Sequence, residues 1–195
     1  MLLGLTGGIA AGKTTALAAF AELGCPTLSS DAVVHALYRE PEVRDAVVAR
    51  LGADVLGPDG AVDRRRVGAR VAADPGVLRF LEALLHPLVA AETAAWQALA
   101  AAADPAPRAL VQEVPLLFEA DLRERFDRVV VVHAPDEVRR ARVALRGDAT
   151  GLEAREARQL PAAEKRRLAD DVLENDGDLE ALDRAVAAYV EALGT

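Results

Sequence analysis

Residues 7–15 read GGIAAGKTT and follow the apolar run MLLGLT. They satisfy G-x-x-x-x-G-K-[ST], with Gly7, Gly12, Lys13 and Thr14 at the fixed positions. No other stretch narrows the possible folds so far. The pattern needs a strand that ends, a backbone that curls with its N–H groups inward, and a helix whose positive end faces the curl; main-chain dipoles then form an anion cradle. The flanks supply these parts. Leu2, Leu3 and Leu5 suit a buried parallel strand, and residues 15–23 carry apolar side chains at helical spacing. The chain has 21 arginines but only two lysines, Lys13 and Lys165. A compact ammonium on a flexible stem reaches β- and γ-phosphates from within such a loop, where a planar guanidinium is bulkier. Gly8, Ala10, Ala11, Gly12, Lys13, Thr14 and Thr15 are therefore the candidate nucleotide-binding set, with the Thr14 hydroxyl directed to Mg²⁺ on the phosphates.

Beyond the loop, further strands are expected at 26–28, 109–114, 129–132 and 172–173, and helices at 41–50, 136–145 and 179–193. Ser29-Ser30-Asp31 forms a natural cap for a helix from Ala32, and residues 56–63 are rich in turn formers. Residues 64–103 read as a helical insertion, broken near Asp74-Pro75-Gly76 and bent near His86-Pro87. Strands alternating with helices imply an α/β fold: a P-loop NTPase-type parallel sheet sandwiched by helices, with ligands at the carboxyl ends of the strands.

With 195 residues and 52% hydrophobic composition, the chain is long enough for one full core with a small inserted lobe. A net charge of −8 argues against general binding to nucleic acid or anionic membranes. Cys25 stands alone, so no intrachain disulfide forms; it reads as a buried small hydrophobe in a cytoplasmic protein. The apolar N-terminal residues lack a basic region and a cleavage pattern, so a signal peptide is not expected. No uncharged run approaches the roughly 20 residues that span a bilayer, and no obligate protein partner is evident.

A phosphate loop alone leaves kinases, GTPases and ATP-driven switches open. No N-K-x-D segment follows a late strand, which disfavours GTP. The arginine-rich stretch 139–167, with Arg142, Arg146, Arg155 and Arg158, reads as a lid whose cations spread over a moving phosphoryl group, or as a solvated helix paired to Glu153, Glu156 and Glu164. Asp31, just past the second strand, suits three roles: accepting a hydroxyl proton, holding water on Mg²⁺, or capping a helix. His35 and His133 with one cysteine make no zinc site, and Tyr38, Phe80 and Trp96 are expected to pack the insertion.

In order, LTGGIAAGKTT, SSDAVVH, VDRRRVG, LLHPLV, VPLLFE, RGDA, REARQLPAAEK and ADDVLENDG resemble the dephospho-coenzyme A kinase family nearly end to end. The resemblance implies ATP-dependent phosphorylation of the ribose 3′-hydroxyl of dephospho-CoA, giving CoA and ADP, the last step of coenzyme A biosynthesis. It favours Asp31 as general base beside Lys13 and Arg142, and sets Arg142 and Arg146 along the triphosphate. Asn175 and Gly177 fall where the family lines the adenine pocket, and Asp31, Arg64, His86, Pro115, Leu116 and Glu119 become acceptor contacts. His86 also reads as a packed bend. The implied organisation is one kinase domain: a core at about 1–30, 105–145 and 168–195, a helical acceptor-binding insertion at about 31–104, and a lid at about 146–167. Arg64–Arg66 and Arg70 are expected near the acceptor pyrophosphate. Three departures stand out. The family usually has Gly-Ser at Ala10-Ala11, Asp where Glu113 stands, and a small residue in place of Arg158. Glu113 is expected to meet the Mg²⁺ shell through water. The rival readings are a nucleoside monophosphate kinase-like enzyme and a non-catalytic ATP-binding switch that uses Arg64–Arg66 as a protein contact.

Overall fold

In the computed structural model, residues 1–145 and 152–193 are described. The elements run β1 (Leu2–Gly7), α1 (Lys13–Glu22), β2 (Thr27–Ser29), α2 (Ser30–Leu37), α3 (Pro41–Leu51), α4 (Arg64–Ala73), α5 (Pro75–Ala101), β3 (Leu110–Glu113), β4 (Arg128–His133), α6 (Asp136–Leu145), α7 (Leu152–Glu156), α8 (Ala162–Leu168), β5 (Asp171–Glu174) and α9 (Leu179–Ala192). The chain divides into two compact units, Met1–Ser29 with Leu99–Thr195, and Ser30–Ala98.

The first unit holds a five-stranded, wholly parallel sheet in the order β2-β3-β1-β4-β5. Its central strands are apolar on consecutive positions because both faces are covered. On one face, Leu3, Leu5, Val111, Val130 and Val132 pack with Ala16, Leu17 and Phe20 of α1 and with Leu182, Val186 and Val190 of α9. Phe20 is fully buried, edge-on to Tyr189 with ring centroids 6.2 Å apart. On the other, Val114, Leu117, Phe126 and Val129 form a smaller cluster. The fold class expected from the alternation of elements is the one observed.

The second unit is helical and has its own core of Leu37, Tyr38, Val43, Val47, Val55, Val62, Val67, Val77, Leu81 and Leu85. Here two local readings change. Helix α2 begins at Ser30, so Asp31 lies in its first turn instead of preceding it; a carboxylate there still favours the positive helix end. Helix α5 runs unbroken through Pro87, and both His86 and Pro87 are exposed, so His86 is not the packed bend its sequence context suggested. The expected break at Asp74 is present, between α4 and α5. No helix among the described residues is long and apolar enough to cross a membrane.

Candidate active site

Strand β1 lies between β3 and β4, and its end at Gly7 pairs with Val132. Gly7 has φ 150, and a Cβ there would stand 2.3 Å from the Val132 carbonyl oxygen. Gly12 has φ 107, and a Cβ there would stand 2.1 Å from Asn175 Nδ2. Only glycine fits either position, so the fixed glycines of the motif are set by close approach and a left-handed backbone together. Helix α1 starts directly at Lys13 with no side-chain cap and no acidic residue in its first turn. Its first N–H groups and positive dipole end are therefore left for an anion. Lys13 Nζ donates to the carbonyls of Gly7 at 3.1 Å and Gly8 at 2.9 Å, lying back along the loop. Thr14 is exposed and Thr15 half-buried beside it.

The outer wall of the loop is braced by side chains from α6 and from the end of β5. Arg139 Nη1 donates to Ile9 O at 3.1 Å. Arg142 Nη1 faces the carbonyls of Ala10 at 3.5 Å and Ala11 at 3.4 Å. Buried Asn175 donates Nδ2 to Ala11 O at 2.7 Å, while its Oδ1 and its backbone carbonyl accept from Arg142 Nη2 at 3.1 and 3.2 Å. Three successive carbonyls are thus drawn outward. In a planar trans peptide the N–H groups that follow Ile9 O and Ala11 O, those of Ala10 and Gly12, point the other way, into the cradle, while the Ala11 N–H donates to Gly8 O at 3.2 Å. Arg142 and Asn175 come together at the loop, and Gly177 lies exposed in the turn before α9. Arg146 lies outside the described residues. Arg139 was not singled out from sequence; its signal is the three-residue spacing to Arg142, which puts both guanidinium groups on one face of α6.

Beside the loop, β3 ends at Glu113, which is 6% exposed and in register with Leu5 and Ser29. The chain then turns through Pro115, whose carbonyl accepts from Thr6 Oγ1 at 3.3 Å and from Lys165 Nζ at 2.9 Å. Lys165 is wholly buried and also meets Glu119 Oε1 at 2.9 Å, an oxygen that accepts from Leu160 N at 2.7 Å. Desolvation pushes the Lys165 ammonium below its ordinary pKa, and Glu119 pulls it part of the way back. Glu119 Oε1 is thereby committed to the segment around α8; its Oε2 is buried with no hydrogen-bond partner among the described residues. Leu116 is half-buried.

In the second unit, Asp31 and Arg64 are exposed. A cleft of about 490 Å³ is lined by His35, Tyr38, Arg39, Gly57, Pro58, Asp59, Ala61, Val62 and Asp63. Both acids there have structural duties: Asp59 accepts from Ala61 N, and Asp63 caps α4 by accepting from Arg65 N and Arg66 N. Burial pushes the Tyr38 phenol up while the charge on Arg64 pulls it part of the way back. The arginine cluster is not uniform. Arg66 donates to the carbonyls of Asp54 and Leu56, and Arg70 pairs with Asp54, so these two stabilise the fold of the unit. The side chains of Arg64 and Arg65 have no protein partner among the described residues.

A family model described as dephospho-CoA kinase matches residues 1–181. A dephospho-CoA kinase of Mesorhizobium japonicum is 44% identical over 195 residues, covering 99% of this chain and 96% of the relative. One from Anaeromyxobacter dehalogenans is 46% identical over 188 residues, covering 93% and 86%. Among solved structures, a Thermus thermophilus protein superposes with a TM-score of 0.79 at 35% identity, covering 99% of this chain and 97% of that one. The dephospho-CoA kinase of Campylobacter jejuni gives a TM-score of 0.71 at 22% identity, over 98% and 96% of the two chains. With the phosphate cradle, the parallel sheet and a match along nearly its whole length, the chain belongs to the dephospho-CoA kinase family.

Proposed function

We propose that the protein transfers the γ-phosphoryl group of ATP to the ribose 3′-hydroxyl of dephospho-CoA, with the residues below in named roles. The carrying observation is the loop geometry: carbonyls of Ile9, Ala10 and Ala11 drawn outward, an uncapped α1 N-terminus, and Lys13 within the same loop. In the proposed step the 3′-oxygen bonds to Pγ as the bond from Pγ to the β,γ-bridging oxygen breaks. The hydroxyl proton passes to the Asp31 carboxylate, and the electron pair leaves on the terminal phosphate oxygen of ADP. Lys13 and the loop N–H groups hold the β- and γ-phosphates, Arg142 braces that loop from its outer wall, and Arg146 is assigned to the charge that spreads over the moving group. Asn175 and Gly177 border the adenine.

The oxygen donors suit a hard divalent cation: an exposed hydroxyl on Thr14 and the carboxylate of Glu113 at the end of β3. Mg²⁺ held by Thr14, and through water by Glu113, supplies charge neutralisation on the phosphates.

For the acceptor, Arg64 and His86 are assigned as contacts. Pro115 and Leu116 are assigned as contacts as well, with Glu119 acting through Lys165 to hold their turn. Arg66 and Arg70 are not assigned to the acceptor pyrophosphate, because Asp54 and its neighbours occupy them. The test is ADP release with ATP and a panel of acceptors. Dephospho-CoA should be turned over and nucleoside monophosphates should not; the reverse would establish the rival enzyme, and no acceptor dependence would establish a switch. Asp31→Asn should lower kcat by roughly 10²-fold or more with ATP affinity kept; near-normal turnover would remove Asp31 as the base.

A further inference from the structure

We propose that Arg139 is a positioning residue for the nucleotide: it holds the phosphate loop in a shape that Ala10 by itself resists. The proposal rests on the loop's nucleotide-binding role and is independent of which acceptor is used. Ala10 has φ 58, a left-handed backbone that a residue with a Cβ adopts only at a cost glycine escapes. An alanine held in that conformation needs an external restraint. Arg139 is placed to supply it. Its Nη1 donates to Ile9 O, the carbonyl of the peptide that leads into Ala10. That peptide is planar, so holding its oxygen on the outer wall turns the Ala10 N–H inward and sets the torsions around the strained residue.

Two further observations fit this role. The Arg139 side chain is 13% exposed and anchored from two sides, by Asp136 at 2.8 Å and by Glu156 of α7 at 3.2 Å, which leaves its guanidinium little freedom. A Cβ on Gly8 would stand 3.1 Å from Arg139 Nη1, so the group lies directly against the loop. Arginine is the side chain that reaches Asp136, Glu156 and Ile9 O at once. Arg142, by contrast, faces the next two carbonyls at longer range.

The experiment is a double-mutant cycle on ATP affinity, measured by calorimetric titration without acceptor, with Arg139→Met, Ala10→Gly and the double variant. Arg139→Met should weaken ATP binding about tenfold. Adding Ala10→Gly should recover most of that loss, because glycine takes the left-handed backbone without a restraint. Should Arg139→Met fail to fold, Arg139→Lys keeps a cation beside Asp136 and Glu156 and carries the same cycle. The proposal is overturned if the arginine variant binds ATP within about twofold of the unaltered protein, or if Ala10→Gly gives no recovery. It is equally overturned if the variant melts earlier while its folded fraction binds ATP normally, the result expected of a purely structural arginine. Loss of dephospho-CoA turnover with this cycle intact would count against the acceptor reading alone.

Discussion

Lys13 lies along the carbonyls of Gly7 and Gly8, so its ammonium is already at the wall where the phosphates would sit. Removing it takes away a point charge that no guanidinium among the described residues replaces: Arg139 and Arg142 reach the same loop from its outer side, through the carbonyls of Ile9, Ala10 and Ala11. Lys13→Ala is therefore expected to cut kcat by at least roughly 10²-fold. Steady-state kinetics and a thermal melt check this together, since the loop carbonyls it leaves become solvated and the melting temperature should move by only about a few degrees. Lys13, Thr14 and the two fixed glycines were legible because the motif is contiguous. Arg139 was not, because the carbonyl it holds is 130 positions away in sequence.

At the scale of elements, ion pairs of opposite sense join the segment carrying α7 and α8 to the core, and a further one links Arg166 of α8 to Glu174 of β5. A core cation, Arg139, meets Glu156 of α7, and a cation of α8, Lys165, meets Glu119 in the turn after β3. The second pair is the deeper, with Lys165 at 0% and the Glu119 side chain at 14% exposure. Replacing one partner leaves the other charge buried and alone. Lys165→Met should cost about 3–5 kcal/mol in unfolding free energy, with Glu119→Gln added to it recovering a large share. Denaturant titration of the two single variants and the double measures both figures, and additive losses would show that the pair is not coupled. The run EKRR of residues 164–167 reads as a solvated helix, and Arg166 and Arg167 are indeed exposed. Only packing against the Pro115 turn separates Lys165 from them.

At the scale of the whole molecule, the sheet edge is closed by Asp171 of β5, which accepts two bonds from Arg128 of β4 at 2.8 and 2.9 Å and one from Tyr189 of α9 at 2.8 Å. The guanidinium holds the Asp171 carboxyl below its ordinary value of 3.8, and burial beside the carboxylate pushes the Tyr189 phenol up. A carboxyl lowered on folding contributes stability that is complete above its unfolded pKa and is lost as pH falls through the folded one. Global stability should therefore decline below about pH 4, and Asp171→Asn should flatten that acid limb while lowering stability at neutral pH. Urea titrations from pH 2 to 7, as a rough span across the aspartate range, would refute the assignment if the two acid limbs proved parallel.

The amino-acid sequence by itself determined the parallel α/β class, the order of strands and helices, and the strand–loop–helix that forms the cradle. Those features depend on hydrophobic period, turn formers and a nine-residue motif, all read within short windows of chain. Tertiary structure alone decided which side chains hold the loop open, and that Lys165 is buried while Arg66 and Arg70 serve the fold of their own unit. Asn175 reaches Ala11 across 164 positions and Glu119 reaches Leu160 across 41, and no local pattern encodes such pairs. They exist because folding brings distant polar groups into a space without water, where each donor must find an acceptor.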